Sequence, residues 1–294
     1  MKKNNFALYF LILLNLSLAG FIALKIFCSD SGKVTPQISI HQSSPAELEF
    51  FETAFKFSKK EFPLTDKKVT AGIIPHHLLA ADLIAEWFYN LRASTYETVI
   101  LIGPNHFNRG DSDIIISAYD WQTPYGILPA EQAFVENLLK ISDIKADEEA
   151  VKNEHSITGE VSFIKKIFPE AKILPIILKS GTSKEEAEIL ADKLLSFARE
   201  RKILVIASVD FSHYKDSLAA QKDDQVSREA IANYDFDKIY GLELDSPASI
   251  YTLLRYSQFQ GAKFELLANT NSALLADRPN LESTTSYLTG YFVE

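Results

Sequence analysis

From residue 46 to the C-terminus, short unbroken apolar runs alternate with longer stretches whose apolar residues recur every three or four positions. A strand buried on both faces reads as a continuous run, whereas a helix resting on a sheet shows only a stripe. The alternation therefore predicts a parallel sheet covered by helices on both sides. Strands are expected at Val69–Ile74, Thr98–Ile102, Asp113–Ser117, Lys172–Leu178, Ile203–Ser208, Phe264–Leu267 and Ser286–Phe292. Helices are expected at Ala46–Lys59, Leu78–Leu91, Ala130–Ile141, Gly159–Phe168, Ser183–Glu200, Leu218–Tyr234 and Pro247–Gln258. No 20 to 50 residue repeat is visible, which disfavours solenoids and propellers. A chain of 294 residues allows one large domain or two small ones, and the uninterrupted pattern favours a single three-layer α/β domain with a mainly parallel or mixed central sheet.

The N-terminus follows a different pattern. Lys2 and Lys3 precede an apolar run from Phe6 to Leu24, interrupted only by Asn15, Ser17 and Gly20, and Lys25 closes it. That length suits a transmembrane helix, with the two lysines retained in the cytoplasm and the body exported. A cleaved signal peptide is the competing reading, which would make the body secreted, but no small-x-small cleavage site follows Leu24. The expected organisation is a signal anchor over 1–28, a flexible linker over 29–45 rich in Ser, Gln, Pro and Gly, and the α/β domain over 46–294. His41 reads as a solvated linker residue, and Cys28 as an unpaired juxtamembrane thiol.

Composition narrows the chemistry. Acidic residues outnumber basic ones 39 to 30, for a net charge of -9, and no basic face is visible, so nucleic acid is excluded as a partner. A lone cysteine cannot build a thiolate cage, so any metal falls to His, Asp and Glu. Neither a G-x-S-x-G elbow, a phosphate-binding glycine loop, a dinucleotide fingerprint nor an H-E-x-x-H helix is present.

Most informative is where the histidines fall. His76 and His77 follow the strand ending at Ile74, His106 follows the strand ending at Ile102, and His213 follows the strand ending at Ser208. Ligands of open α/β sheets bind outside the carboxyl ends of strands, so these imidazoles are expected to meet in one crevice. Only one of His76 and His77 should face it, since neighbouring side chains at a strand end point opposite ways. Asp210, three residues before His213, suits the role of orienting that imidazole. Glu154-His155-Ser156 resembles a helix start as much as a catalytic pair.

In order and spacing, Gly72-Ile73-Ile74-Pro75-His76, Ile102-Gly103-Pro104-Asn105-His106, Glu154-His155-Ser156, Ile173-Leu174-Pro175-Ile176 and Ser208-Val209-Asp210-Phe211-Ser212-His213 resemble the Memo family, called AmmeMemoRadiSam system protein B in prokaryotes. The resemblance covers roughly residues 69–292. It implies a fold similar to the class III extradiol dioxygenases, with His76 and His106 matching metal-binding histidines and His213, with Asp210, lining the same pocket. Memo proteins typically contribute a cysteine about ten residues before a Ser-Tyr pair; here the pair is Ser286-Tyr287 and the matching position holds Asp277. Two imidazoles and a carboxylate form the facial set of non-heme iron, so the resemblance implies a divalent metal, iron favoured, with zinc or copper as alternatives. His76, His106 and Asp277 would be the ligands, and His213 with Asp210 would move protons.

Two functions follow as expectations. One is a metal-dependent, dioxygenase-like oxidoreductase acting on an unidentified small molecule. The other is a metal- or peptide-binding module at the membrane surface without turnover. The family name also implies association with radical-SAM and AMMECR-type proteins.

Overall fold

The structure is a computed structural model describing residues 40–58, 67–199 and 201–294. Its strands are β1 (Ile40–Gln42), β2 (Val69–Ile74), β3 (Thr98–Pro104), β4 (Ile114–Ile116), β5 (Asp120–Thr123), β6 (Gly126–Leu128), β7 (Ile144–Ala146), β8 (Lys172–Leu178), β9 (Ile203–Ser208), β10 (His213–Lys215), β11 (Lys263–Asn271) and β12 (Thr284–Val293). The principal sheet runs β10-β12-β2-β9-β3-β8-β4-β7, with β11 paired to β12. Its centre, β2-β9-β3-β8, is parallel, whereas β12 and β4 join it antiparallel. The expected α/β class and mixed central sheet are therefore present.

Alternation along the central strands divides the apolar residues between two cores. Ile73, Ile100, Ile102, Leu174, Ile176 and Val205 point to one side, where helices Lys184–Ala198 and Pro247–Phe259 cover them. Val99, Leu101, Ile173, Ile177, Leu204 and Ile206 point to the other, against helices Leu48–Phe57, Ala81–Asn90 and Val161–Ile167. Each fully buried isoleucine or leucine contributes about 1.5–3 kcal/mol relative to exposure, so both faces hold the sheet in place.

The expected membrane helix is corrected. The run Phe6–Leu24 lies outside the described residues, and among the described residues no helix is long and apolar enough to cross a membrane. Spanning takes about 20 predominantly apolar residues. The 16-residue helix Ser217–Ala232 carries Lys222, Asp223, Asp224, Arg228 and Glu229 along its length. Membrane anchoring and an extracytoplasmic body thus have no support in the structure.

His41 also differs from expectation. It sits in β1, which pairs in parallel with β5 in a separate three-stranded sheet, and its ring is buried between Tyr119 and Trp121. Its Nε2 lies 2.7 Å from Glu148 Oε2. Three residues carry too little periodicity to announce a strand, and the pairing partner lies some 80 positions away.

Candidate metal centre

The register of β2 against β9 sets Ile74 beside Ser208, and the Val209 N–H donates to the Ile74 carbonyl. Two residues further along each chain, His76 and Asp210 emerge side by side, and the His76 N–H donates to Asp210 Oδ1 at 3.1 Å. His76 is 3% exposed. Its Nδ1 lies 3.2 Å from the Ser208 carbonyl, which can only accept, so Nδ1 carries the hydrogen and Nε2 faces the crevice.

The neighbouring strand delivers His106. β3 ends at Pro104, and the Asn105 side chain closes the following turn, accepting from the Arg109 N–H and donating to the Arg109 carbonyl. Glycine is required at 103, because a Cβ there would lie 2.6 Å from Ser156 Oγ. That close approach lets the segment Glu154–Ser156 pack against the strand end. Glu154, fully buried, accepts from the His106 backbone N–H at 2.9 Å and holds His106 Nδ1 at 2.7 Å. Once again Nε2 is left toward the crevice, the orientation that outer carboxylates impose on metal-binding histidines. His155 opens the short helix His155–Thr158, half-exposed, with its ring stacked on His106 at 3.8 Å between centroids and 5.1 Å from His76.

A fourth segment supplies what sequence reasoning missed. Phe211 bridges Leu244, and the Asp245 N–H donates to the Asp210 carbonyl, which brings Asp245 between the histidines. Asp245 Oδ2 lies 3.1 Å from His76 Nε2 and 3.8 Å from His106 Nε2. Its Oδ1 is buried without a hydrogen-bond partner. Asp210 Oδ2 stands 3.7 Å from His76 Nε2. Two groups have donor atoms within 4.8 Å of one another, spacing that could hold an ion: His76, His106 and His155, and His76, Asp210 and Asp245.

The remaining expected residues lie elsewhere. His213 begins β10, half-buried and paired across to Thr285, and belongs to neither group. Asp277 is exposed in the left-handed region, at φ 53°, after helix Ser272–Leu275, and belongs to neither group. His77 is exposed, its Nδ1 held 2.6 Å from the buried Tyr287 hydroxyl, so the adjacent histidines do face opposite ways. No signal short of the folded path marked Asp245, which precedes the helix cap Ser246 and reads as ordinary helix-start chemistry.

Charges in the crevice are strongly coupled. Burial pulls His76 down, but the Asp210 and Asp245 carboxylates outweigh it and raise it to about 10. Burial would raise Asp245, yet His76 and His106 hold it at about 2. His155 is lowered to about 4 by burial and by the like charges of His106 and His76. Burial keeps Asp210 above the usual carboxylate range despite His76. Since His76 binds its proton more tightly folded than unfolded, that contribution is complete below pH 6.5 and is lost as pH rises toward about 10. Denaturant unfolding of metal-free protein should therefore show stability falling by a few kcal/mol over that window, and His76→Gln should flatten the slope. Equal slopes in both proteins would contradict the pairing.

The comparisons agree with this architecture. A family model described as Memo-like protein matches residues 39–291. A MEMO1 family protein of Archaeoglobus fulgidus is 32% identical over 227 residues, covering 74% of this chain and 85% of that protein. One from Methanobrevibacter smithii is 27% identical over 262 residues, covering 86% and 90%. Among solved structures, the uncharacterized protein JW3007 from Escherichia coli K12 matches with a TM-score of 0.52 at 12% identity over 75% of this chain and 99% of that one, a likeness of fold alone. Since the family match runs from β1 almost to the end of β12 and takes in every strand end that carries the crevice, the chain belongs to the Memo family.

Proposed function

We propose that this chain is a metal-dependent protein whose centre is built on His76, His106 and Asp245, with iron(II) the favoured ion and zinc or copper also matching the donors. The observation that carries the reading is the Asp245 carboxylate, set between two imidazole nitrogens, with Oδ1 buried and unpartnered. A buried acceptor with no donor costs about 1–3 kcal/mol, and a cation in the crevice would remove that cost. Two imidazoles and a carboxylate are the donor set of non-heme iron sites with open positions.

Bound iron would supply redox chemistry with positions for a small-molecule ligand, and the reaction class we infer is oxidoreduction. The chain's own residues do the rest. Ser208 and Glu154 fix the two imidazoles with Nε2 inward. His213, three residues beyond Asp210 at the start of β10, is the side chain to which we assign proton exchange with a bound ligand.

Elemental analysis of the purified full chain tests the reading. Stoichiometric iron, zinc or copper is expected, falling to background in His106→Ala; unchanged content in that variant would overturn it. Oxygen uptake with a panel of catechols, dependent on His213, is the expected sign of turnover. Metal retention without uptake would leave a binding protein.

A further inference from the structure

The end of the sheet opposite the crevice gathers charge that the order of the residues does not announce. At the amino ends of β2, β3 and β9, one strand length or about 20 Å from the crevice, a cavity of about 700 Å³ is lined by Lys68, Arg199, Arg201 and Lys202. A second cavity, of about 540 Å³, is walled by helices Gln132–Leu138 and Lys184–Ala198 and carries Lys140, Lys193 and the same two arginines. Six cations from three stretches of chain meet there, in a protein of net charge -9. Glu97 is the one acid among the described residues of either wall.

Part of that charge is answered locally. Lys68 pairs with Glu294 at 2.8 Å, and Arg201 lies 3.5 Å from Glu131, which Lys172 shares. Helices Ala81–Asn90, Lys184–Ala198 and Pro247–Phe259 also end here, and each C-terminus carries roughly half a negative charge. Together these offset fewer charges than are present. Lys193, Arg199 and Lys202 are exposed and make no ion pair with a described residue. Guanidinium beside ammonium is a donor set for phosphate, since Arg grips its oxygens in a fork and Lys adds a point charge. Phe197, stacked on Phe134 at 3.8 Å and covered by Arg201 at 4.4 Å, gives the second cavity an apolar wall. Both cavities fall within the roughly 300–1,000 Å³ typical of small-molecule sites. We propose that this end of the sheet binds an organic diphosphate, its phosphates held by Arg199, Arg201 and Lys202 and its organic part lying toward Phe197. The two arginines stand in both walls, so anionic groups on either side can share them, which favours two phosphates over one. The site is separate from the metal crevice and does not depend on the reading of it.

Isothermal titration of the full chain, stripped of metal so that no ion in the crevice captures phosphate, tests the proposal. Inorganic pyrophosphate is expected to bind, adenosine diphosphate to bind more tightly, and adenosine not to bind. Arg199→Gln and Lys202→Gln, both at exposed side chains, are each expected to weaken pyrophosphate binding about 10-fold. His106→Ala should bind it as the wild-type chain does. Pyrophosphate affinity unchanged in both glutamine variants, or lost in His106→Ala, overturns the placement. Absence of binding by both phosphate probes overturns the site. Equal affinity for the two probes overturns the contact with Phe197, and binding of oligoglutamate in place of pyrophosphate overturns the ligand class in favour of acidic peptides.

Discussion

Replacing Asp245 with alanine will lower the affinity of the full chain for a divalent cation by at least about 100-fold, because even an outer partner of a metal-binding histidine costs 10 to 100-fold and Asp245 stands nearer than that. The same change will destabilise the metal-free protein by about 3 kcal/mol, since it removes the carboxylate 3.1 Å from a buried, protonated His76. Asp210 at 3.7 Å offsets part of the loss. The Asp210 N–H also loses an acceptor, Asp245 Oδ2 at 3.2 Å. Asp277→Asn is the matched control: an exposed carboxylate after a short helix, replaced by a side chain that tolerates the same left-handed backbone, should leave both affinity and stability within error. Isothermal titration and urea unfolding of the two variants separate the cases. Should Asp277→Asn lose the cation and Asp245→Ala keep it, the ligand set proposed here is wrong.

A second large effect is expected far from any polar group. Gly72 lies in β2, where a Cβ would stand 2.3 Å from the Trp87 ring and 2.8 Å from the Gly290 carbonyl of β12. Neither neighbour can retreat: Trp87 is fully buried, packs against Phe88 and Tyr291, and donates through Nε1 to that same carbonyl at 3.0 Å. Overpacking of this kind costs about 1–3 kcal/mol, and loss of the indole bond adds about 1 kcal/mol. Gly72→Ala should therefore lower the urea midpoint markedly. It should also weaken cation binding, because β2 carries His76 four residues further on. An unchanged midpoint would mean that β2 and β12 are less closely packed than described.

Much of the fold was legible because its signals are local. β2, β3, β8 and β9 are continuous apolar runs, and all four lie where periodicity puts them, to within two residues. The helix expected over Gly159–Phe168 is present as Val161–Ile167, and a separate short helix, His155–Thr158, precedes it. β5, β6, β7 and β10 went unseen, being three or four residues long; β5 and β6 form a hairpin, while β7 and β10 pair with the more distant β4 and β12. Short edge strands owe their existence to pairing, which no window of local sequence records.

The same division runs through the candidate site. By itself the sequence determined that His76, His106 and Asp210 would stand at strand ends, because a buried strand's period and its closing turn are written in consecutive residues. It determined, too, that His76 and His77 would part company, since alternation is intrinsic to extended backbone. Only the tertiary structure decided which carboxylate meets the imidazoles. Asp277 was the nearer match by spacing, yet it ends a surface turn, whereas Asp245 reaches the crevice through backbone pairing with Asp210 across 34 intervening residues. Contacts closed by a long loop depend on how that loop packs, a property of the whole fold rather than of its neighbours in the chain.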